Sequence, residues 1–158
     1  MKTIATTERK PTGEEICRVA MASPAQARVD RIEDCLRKLP PVDCPLTHRF
    51  TPGLYIREIF MPKGTLLTSK IHKTEHPYVI SKGRVSVWID GVGVVQLSAP
   101  HCGITKPGTR RVIYVHEDCV WTTFHATNET DVAKIEKEIL YERERPAVSG
   151  GETKEIKG

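Results

Sequence analysis

Between residues 46 and 126 the chain is cut into short β-prone pieces by turn signals at close, even intervals. This punctuation constrains the fold more than any other feature. LTHRFT, LYIREIFM, TLLTSKIHK, HPYVIS, RVSVWI, VGVVQL, CGIT, RRVIYVHE and CVWTTFHAT are rich in β-branched and aromatic residues. Between them stand Pro52-Gly53, Pro62-Lys63-Gly64, Lys82-Gly83, Asp90-Gly91, Ala99-Pro100, Pro107-Gly108 and Glu117-Asp118. About nine strands in roughly 80 residues, with no helix between consecutive strands, predict an all-β antiparallel jelly roll or barrel. Asp90-Gly91 is the strongest hairpin signal, because both positions tolerate positive φ.

The flanks read differently. Residues 1–22 are polar and predict an extended arm with a short helix over EEICRVAMA. Ser23-Pro24-Ala25-Gln26 reads as a helix start, with serine at the cap and proline at the first helical position. Val29, Ile32, Cys35, Leu36 and Leu39 recur at helical spacing, so a helix is expected over 24–39, ended by Pro40-Pro41. Its apolar face packs on the domain or on a second subunit, and Val29, Ile32, Leu36 and Leu39 are the interface candidates. Asn128 to Asp131 caps a final helix with Val132, Ile135, Ile139 and Leu140 on its apolar face. RERERPAVSGGETKEIKG closes the chain as a charged tail. The expected organisation is an arm and helix (1–45), a barrel (46–127), and a helix and tail (128–158).

Composition excludes several classes. The net charge of +4 arises from 24 basic and 20 acidic residues that are well mixed, and no basic stripe alternates with aromatics, so nucleic acid is not expected as a partner. No apolar run approaches a membrane span, and the N-terminus lacks an apolar signal core, so cytoplasmic synthesis is expected. Cys17, Cys35, Cys44, Cys102 and Cys119 include no CxxC pair and are expected to be free thiols.

The segment that bears on chemistry is HKTEHPYVISKG, residues 72–83, with histidines four apart and a glycine seven after the second. With the Asp90-Gly91 hairpin and the Pro107-Gly108 turn, it resembles the cupin superfamily of small jelly-roll proteins over about residues 46–126. The first cupin motif carries HxH, then a glutamate, then a glycine seven residues on. Counting back from Gly83 places His76 at the glutamate position, His72 at the second histidine and Lys70 at the first. In the second motif, Arg111 falls at the histidine position. The resemblance thus implies a cavity lined by Lys70, His72, His76 and Arg111. Two of those four positions carry cations that cannot ligate a metal. A metal set of His72, His76 and His116 requires the strand register to slip by one, because Arg111, Ile113 and Val115 share one face while His116 lies on the other. His125, His48 and His101 are expected to be surface or structural histidines.

PGTRRVIYVHEDCVWTTFHATNETDVAKIEKEI also resembles small cupin-like proteins encoded by tailed bacteriophages. These resemblances imply a non-enzymatic structural or assembly protein, a virion component without cofactor. It would form a homo-oligomer (dimer or higher) and dock on other virion proteins through its terminal arms. The alternative is a cupin enzyme: a metal-dependent oxygenase or isomerase using a divalent transition metal, or a metal-free sugar isomerase or epimerase.

Overall fold

A computed structural model of the chain describes residues 8–143. The order is α1 (Gly13–Met21), α2 (Pro24–Leu36), β1 (Leu46–Thr51), β2 (Leu54–Met61), β3 (Leu66–Thr68), β4 (His76–Ile89), β5 (Gly93–Ser98), β6 (His101–Thr105), β7 (Arg111–Ala126) and α3 (Val132–Ile139). All strand pairs are antiparallel. The strand path runs β1-β2-β7-β4-β5, with β3 on β7 and β6 on β4, and does not close on itself. The antiparallel jelly-roll class with flanking helices is as expected; a fully closed barrel is not present.

The nine expected strands become seven because two of the turn signals are corners inside long strands. HPYVIS and RVSVWI join through Lys82-Gly83 into β4, and RRVIYVHE and CVWTTFHAT join through Glu117-Asp118 into β7. β4 and β7 pair from Tyr78↔Thr123 to Ile89↔Arg111, with register shifts between Ile80 and Val85. Such irregularities bend a ladder. Gly83 lies at the corner with φ 94°. A Cβ there would stand 2.8 Å from Cys119 Cα and strike the Asp118 carbonyl. Glycine is therefore required both by the backbone conformation and by the close approach of β7.

The corner folds the ladder in two. On one side lie β1, β2, the second half of β7, the first half of β4 and β6; on the other lie β3, the first half of β7, the second half of β4 and β5. Their inner faces meet in one core of Met61, Tyr78, Ile80, Val85, Val87, Ile113, Val115, Cys119 and Trp121. Each fully buried valine or isoleucine contributes about 1.5–3 kcal/mol, so this cluster is the main source of stability.

The helices pack on this body. α2 ends at Leu36, earlier than expected, because backbone bonds of the 3-residue-turn type take over at Lys38 and Leu39. It is held by Arg110, whose guanidinium bonds Asp30 at 2.9 Å, Glu33 at 2.6 Å and Gln26 at 3.3 Å. Val29 is consequently buried in the chain's own fold, at 1% exposure, and drops out of the interface candidates. Ile32 and Leu36 are half-buried, while Leu39 is exposed. The described part of the expected arm is likewise packed. α1 starts in a capping box between Thr12 and Glu15, and its Cys17 and Met21 bury against Ile71. α3 is capped by Asp131 and lays Ile135 and Ile139 on Tyr55 of β2. The charged tail beyond residue 143 lies outside the described residues. Among the described residues, no helix is long and apolar enough to cross a membrane.

These two helices clamp the segment that precedes β4. Lys73 N–H donates to Ile139 O at 2.7 Å and Tyr141 N–H to Ile71 O at 2.8 Å. The His72 carbonyl accepts from Gly108 N–H at 3.0 Å and from the Cys17 thiol at 3.3 Å. His72 is thereby fixed from three directions although it belongs to no strand longer than a single bridge to Leu140.

Candidate metal centre

At the end of the folded ladder farthest from the Gly83 corner, three histidines meet. His72 comes from the clamped segment, His76 opens β4, and His125 lies near the end of β7. Ring centroids are 4.4 Å apart for His72–His76, 4.5 Å for His76–His125 and 5.4 Å for His72–His125. One nitrogen from each ring lies within 4.8 Å of the others. His76 and His125 are 3% and 2% exposed.

Hydrogen bonds fix two of the tautomers. His76 Nδ1 sits 3.1 Å from the Thr74 carbonyl, which can only accept, so Nδ1 carries the proton and Nε2 the lone pair. His125 Nε2 sits 2.9 Å from Thr123 Oγ1, and that hydroxyl donates to the Arg57 carbonyl at 3.5 Å. Thr123 then accepts from His125, which puts the proton on Nε2 and leaves a lone pair on Nδ1. That Nδ1 is buried and has no hydrogen-bond partner among the described residues. An orphaned buried acceptor costs about 1–3 kcal/mol. A hydrogen bond on one imidazole nitrogen with the other left open is how proteins orient ligating histidines.

The rings are neutral at physiological pH. Burial pushes His72 down to about 2, helped by the neighbouring His76 and His125 charges. Burial also pushes His125 down to about 3, and His76 is lowered for the same main reason. Neutral imidazole is the form that ligates a metal. Three histidines with an open fourth position match one of the donor sets of zinc sites, and imidazole also suits iron, nickel and copper. The residues present therefore fit a divalent transition metal in donor type.

Charge is the opposing consideration. Arg111 is 8% exposed, and its guanidinium lies over the Tyr78 ring at 5.1 Å and the Trp121 ring at 5.5 Å. It donates to Thr105 Oγ1 at 3.0 Å. Thr105 stands directly opposite His76 in the β4–β6 ladder, so Arg111 reaches to the flank of the histidine cluster. Among the described residues no carboxylate forms an ion pair with it. Stacking on aromatic faces contributes about 2 kcal/mol when desolvated, against several for taking a guanidinium out of water. Arg57 also acts on His72 and His125, but it is paired with Glu136 at 3.2 Å.

The expected site residues separate as follows. His72 and His76 meet, and Arg111 lies beside them. His116 does not join: no slip of register brings it inward, and it stays on the outer face with Tyr114, bonded to Ser86 Oγ at 2.6 Å. Lys70 does not join either. β3 ends at Thr68, so strand alternation does not carry through to His72, and the half-exposed Lys70 ammonium lies 3.9 Å from Glu136 on α3. His125, expected to be a surface or structural residue, is the third member. Its signal was present: Trp121 reads as core, and alternation along TTFHAT then puts Thr123 and His125 on the same side. Two further histidines support the site's surroundings. His48 Nδ1 bonds Tyr55 Oη at 2.6 Å, and the Tyr55 ring stacks on His125 at 5.7 Å. His101 bonds Tyr78 Oη at 3.1 Å. All five cysteines are free.

No protein-family model and no curated protein sequence matches the chain. Solved structures do. A conserved protein with a double-stranded β-helix domain from Klebsiella pneumoniae aligns with a TM-score of 0.48 at 15% identity, covering 68% of this chain and 93% of that one. An RmlC-like cupin family protein from Methanocaldococcus jannaschii gives 0.46 at 11% identity, covering 54% and 82%. A cupin-2 domain protein from Shewanella frigidimarina gives 0.43 at 10% identity, covering 65% and 98%. At these identities no residue role passes from those proteins to this chain, and the site stands on its own geometry.

Two concavities stand out among the described residues, and neither reaches the cluster. One lies outside the corner at Lys63, Lys82, Gly83, Glu117 and Asp118. The other lies between α1, α2 and the loop at Gly108–Arg110. His76 and His125 are buried, and the His72 carbonyl is held by the Cys17 thiol of α1 and by Gly108 N–H, so the cluster is withdrawn from the surface.

Proposed function

We propose that this is a cupin-fold metal-binding protein that holds one divalent transition metal ion on His72, His76 and His125. Two observations carry the reading: one nitrogen from each of the three rings lies within 4.8 Å of the others, and His125 Nδ1 is buried without a hydrogen-bond partner among the described residues. When bound, such an ion supplies Lewis acidity and a template for an oxygen ligand. The chain's own residues present the lone pairs, through Thr74 and Thr123, and exclude bulk water, through α1 and α3. The enclosure favours a binding or structural role over turnover of a large substrate. Protein purified without chelator and measured by elemental analysis should carry close to one zinc, iron, nickel or manganese per chain. A metal-free preparation that also fails to take up added zinc would sink the reading.

A second reading, self-association as an assembly module, is favoured by a different observation. Val92, Val94 and Val95 are 67%, 68% and 42% exposed on and beside β5, and Ile104 is 54% exposed on β6. Val94 lies on the outward face of this edge strand, while Val95 shares the side of Leu97, which packs on the core, and is itself left partly uncovered. A second subunit would cover them. Light scattering on the eluting protein should then give a dimer or higher oligomer that Val94→Glu dissociates; a monomer at high concentration would remove this reading. Placement in a phage particle draws on the sequence resemblance alone.

A further inference from the structure

Away from the histidines, the end of α1, the start of α2, the 107–109 turn and the β4–β5 hairpin meet around a concavity of about 230 Å³. None of the three clustered histidines lines it. Its most buried polar member is Gln26, at 2% exposure. Arg110 lies 3.3 Å from Gln26 Oε1, and a guanidinium can only donate, so the amide oxygen faces Arg110 and Nε2 points elsewhere. Nε2 makes no hydrogen bond among the described residues, yet His125 Nδ1 is the one side-chain atom there that is both sealed and unpartnered. The Gln26 amide therefore keeps access to open space, and the space it lines is this concavity. Ser23 lines it too. Its hydroxyl makes no capping bond, and the first turn of the 13-residue α2 carries no acidic residue. The positive end of α2 is thus left without a counter-charge from its own first turn. On another wall stands Asp90, half-buried and without an ion pair among the described residues. Val19, Ala20 and Ile89 supply apolar surface between these groups.

We propose that this concavity binds a small zwitterionic amino acid, with its carboxylate on the Gln26 amide and the start of α2 and its ammonium on Asp90. The two ends of the site call for opposite charges. The free N–H groups of Gln26, the Ser23 hydroxyl and the helix end are donors or positive, and suit a carboxylate. Asp90 only accepts and is negative, and suits an ammonium. A plain carboxylate would face the charge of Asp90, and a plain amine would leave the donors unmet. Arg110 does not upset this division, because Asp30 at 2.9 Å and Glu33 at 2.6 Å already hold its guanidinium. Size points the same way: the volume is below the roughly 300–1,000 Å³ of sites for drug-sized ligands. The proposal is independent of metal binding, since it uses none of His72, His76 and His125.

The test is a calorimetric titration of the full chain with L-alanine, and with propionate and ethylammonium, which carry one charged end each. L-alanine should bind saturably, one per chain, and each half-molecule should bind more weakly by roughly tenfold or more, the loss of one charge-assisted contact. Asp90→Asn keeps an Asn-Gly pair in the hairpin. It should weaken L-alanine by a similar factor and leave propionate no weaker. Gln26→Glu keeps an oxygen for Arg110 and replaces the free amide by a carboxylate oxygen. It should weaken L-alanine and propionate and spare ethylammonium. No saturable L-alanine binding in the wild type, or equal affinity in the wild type and Asp90→Asn, overturns the proposal. Propionate or ethylammonium binding as tightly as L-alanine also overturns it, in favour of a simple anion or cation site. If Gln26→Glu does not fold, Ser23→Ala decides for that end, because its hydroxyl caps nothing: unchanged L-alanine affinity there contradicts the placement of the carboxylate.

Discussion

The corner and the far end of the folded β4–β7 ladder share these two strands and differ in the polar groups they bury. Near the Gly83 corner the buried residues are Met61, Ile80, Val85, Val115 and Cys119. At the far end they are His76, Thr105, Arg111 and His125, with half-buried His72 beside them. The corner end follows the ordinary rule that interiors are apolar and close-packed. The far end breaks it, with three lone-pair donors and a cation out of water. A small domain that accepts such a cost in its interior points to a ligand there, since unpaired buried polar groups work against folding. The difference teaches where stability ends and function begins in one continuous piece of sheet.

The sharpest way to break this contrast is at the corner itself. Gly83→Val places a branched side chain against the Asp118 carbonyl in a left-handed conformation that valine avoids. It should abolish cooperative unfolding, as read by circular dichroism during a urea titration; a two-state transition near that of the wild type would mean that the corner does not organise the fold.

A paired comparison comes next. Ile80→Ala, at the corner end, should cost about 2–5 kcal/mol in urea denaturation. His125→Leu, at the far end, removes the orphaned Nδ1 and should change the stability of metal-free protein by less than about 1 kcal/mol, or raise it. Equal losses at both ends would contradict the division.

Acid should act on the far end through its buried histidines. His72 and His125 are held neutral in the folded protein, at about 2 and about 3, while each titrates near 6.5 once unfolded. Below that value the unfolded chain binds more protons than the folded one. Stability is therefore complete above pH 6.5 and falls as pH drops toward 3, by about 1.4 kcal/mol per pH unit for each histidine that must charge on unfolding. In a His72→Leu/His125→Leu variant this part of the slope should vanish. An unchanged slope would mean that carboxylates alone set the acid limit.

Much of the fold was legible in the sequence because turn chemistry is local. Pro52-Gly53, Asp90-Gly91 and Ala99-Pro100 separate the strands they were expected to separate. Lys82-Gly83 and Glu117-Asp118 carry the same local signal, yet they face each other across two paired strands and make a bend. That outcome depends on a contact between residues about 35 apart in sequence, which no window sees. The helices were legible from caps and periodicity, but whether Val29 faced the domain or a partner turned on Arg110, again a distant residue.

The candidate site was half legible. His72, His76 and Arg111 were found from the spacing of the motif. His125 was missed although alternation from Trp121 pointed to it, and Lys70 was included by extending a strand beyond Thr68, where it ends. Strand parity was sound from Arg111 to Val115, where β7 pairs regularly with β4, and His116 stays on the outer face although the register shifts beside it, between Arg84 and Val85. It failed for Lys70, because alternation holds only where the chain stays extended.

The most direct test of the central claim is a zinc titration of metal-free protein by calorimetry, comparing His125→Ala with His116→Ala. His125 is inside the cluster and His116 is on the outer face. The account predicts one zinc per chain in the wild type and in His116→Ala, and an affinity reduced at least a hundredfold in His125→Ala. Zinc binding that survives in His125→Ala, or is lost in His116→Ala, would contradict it.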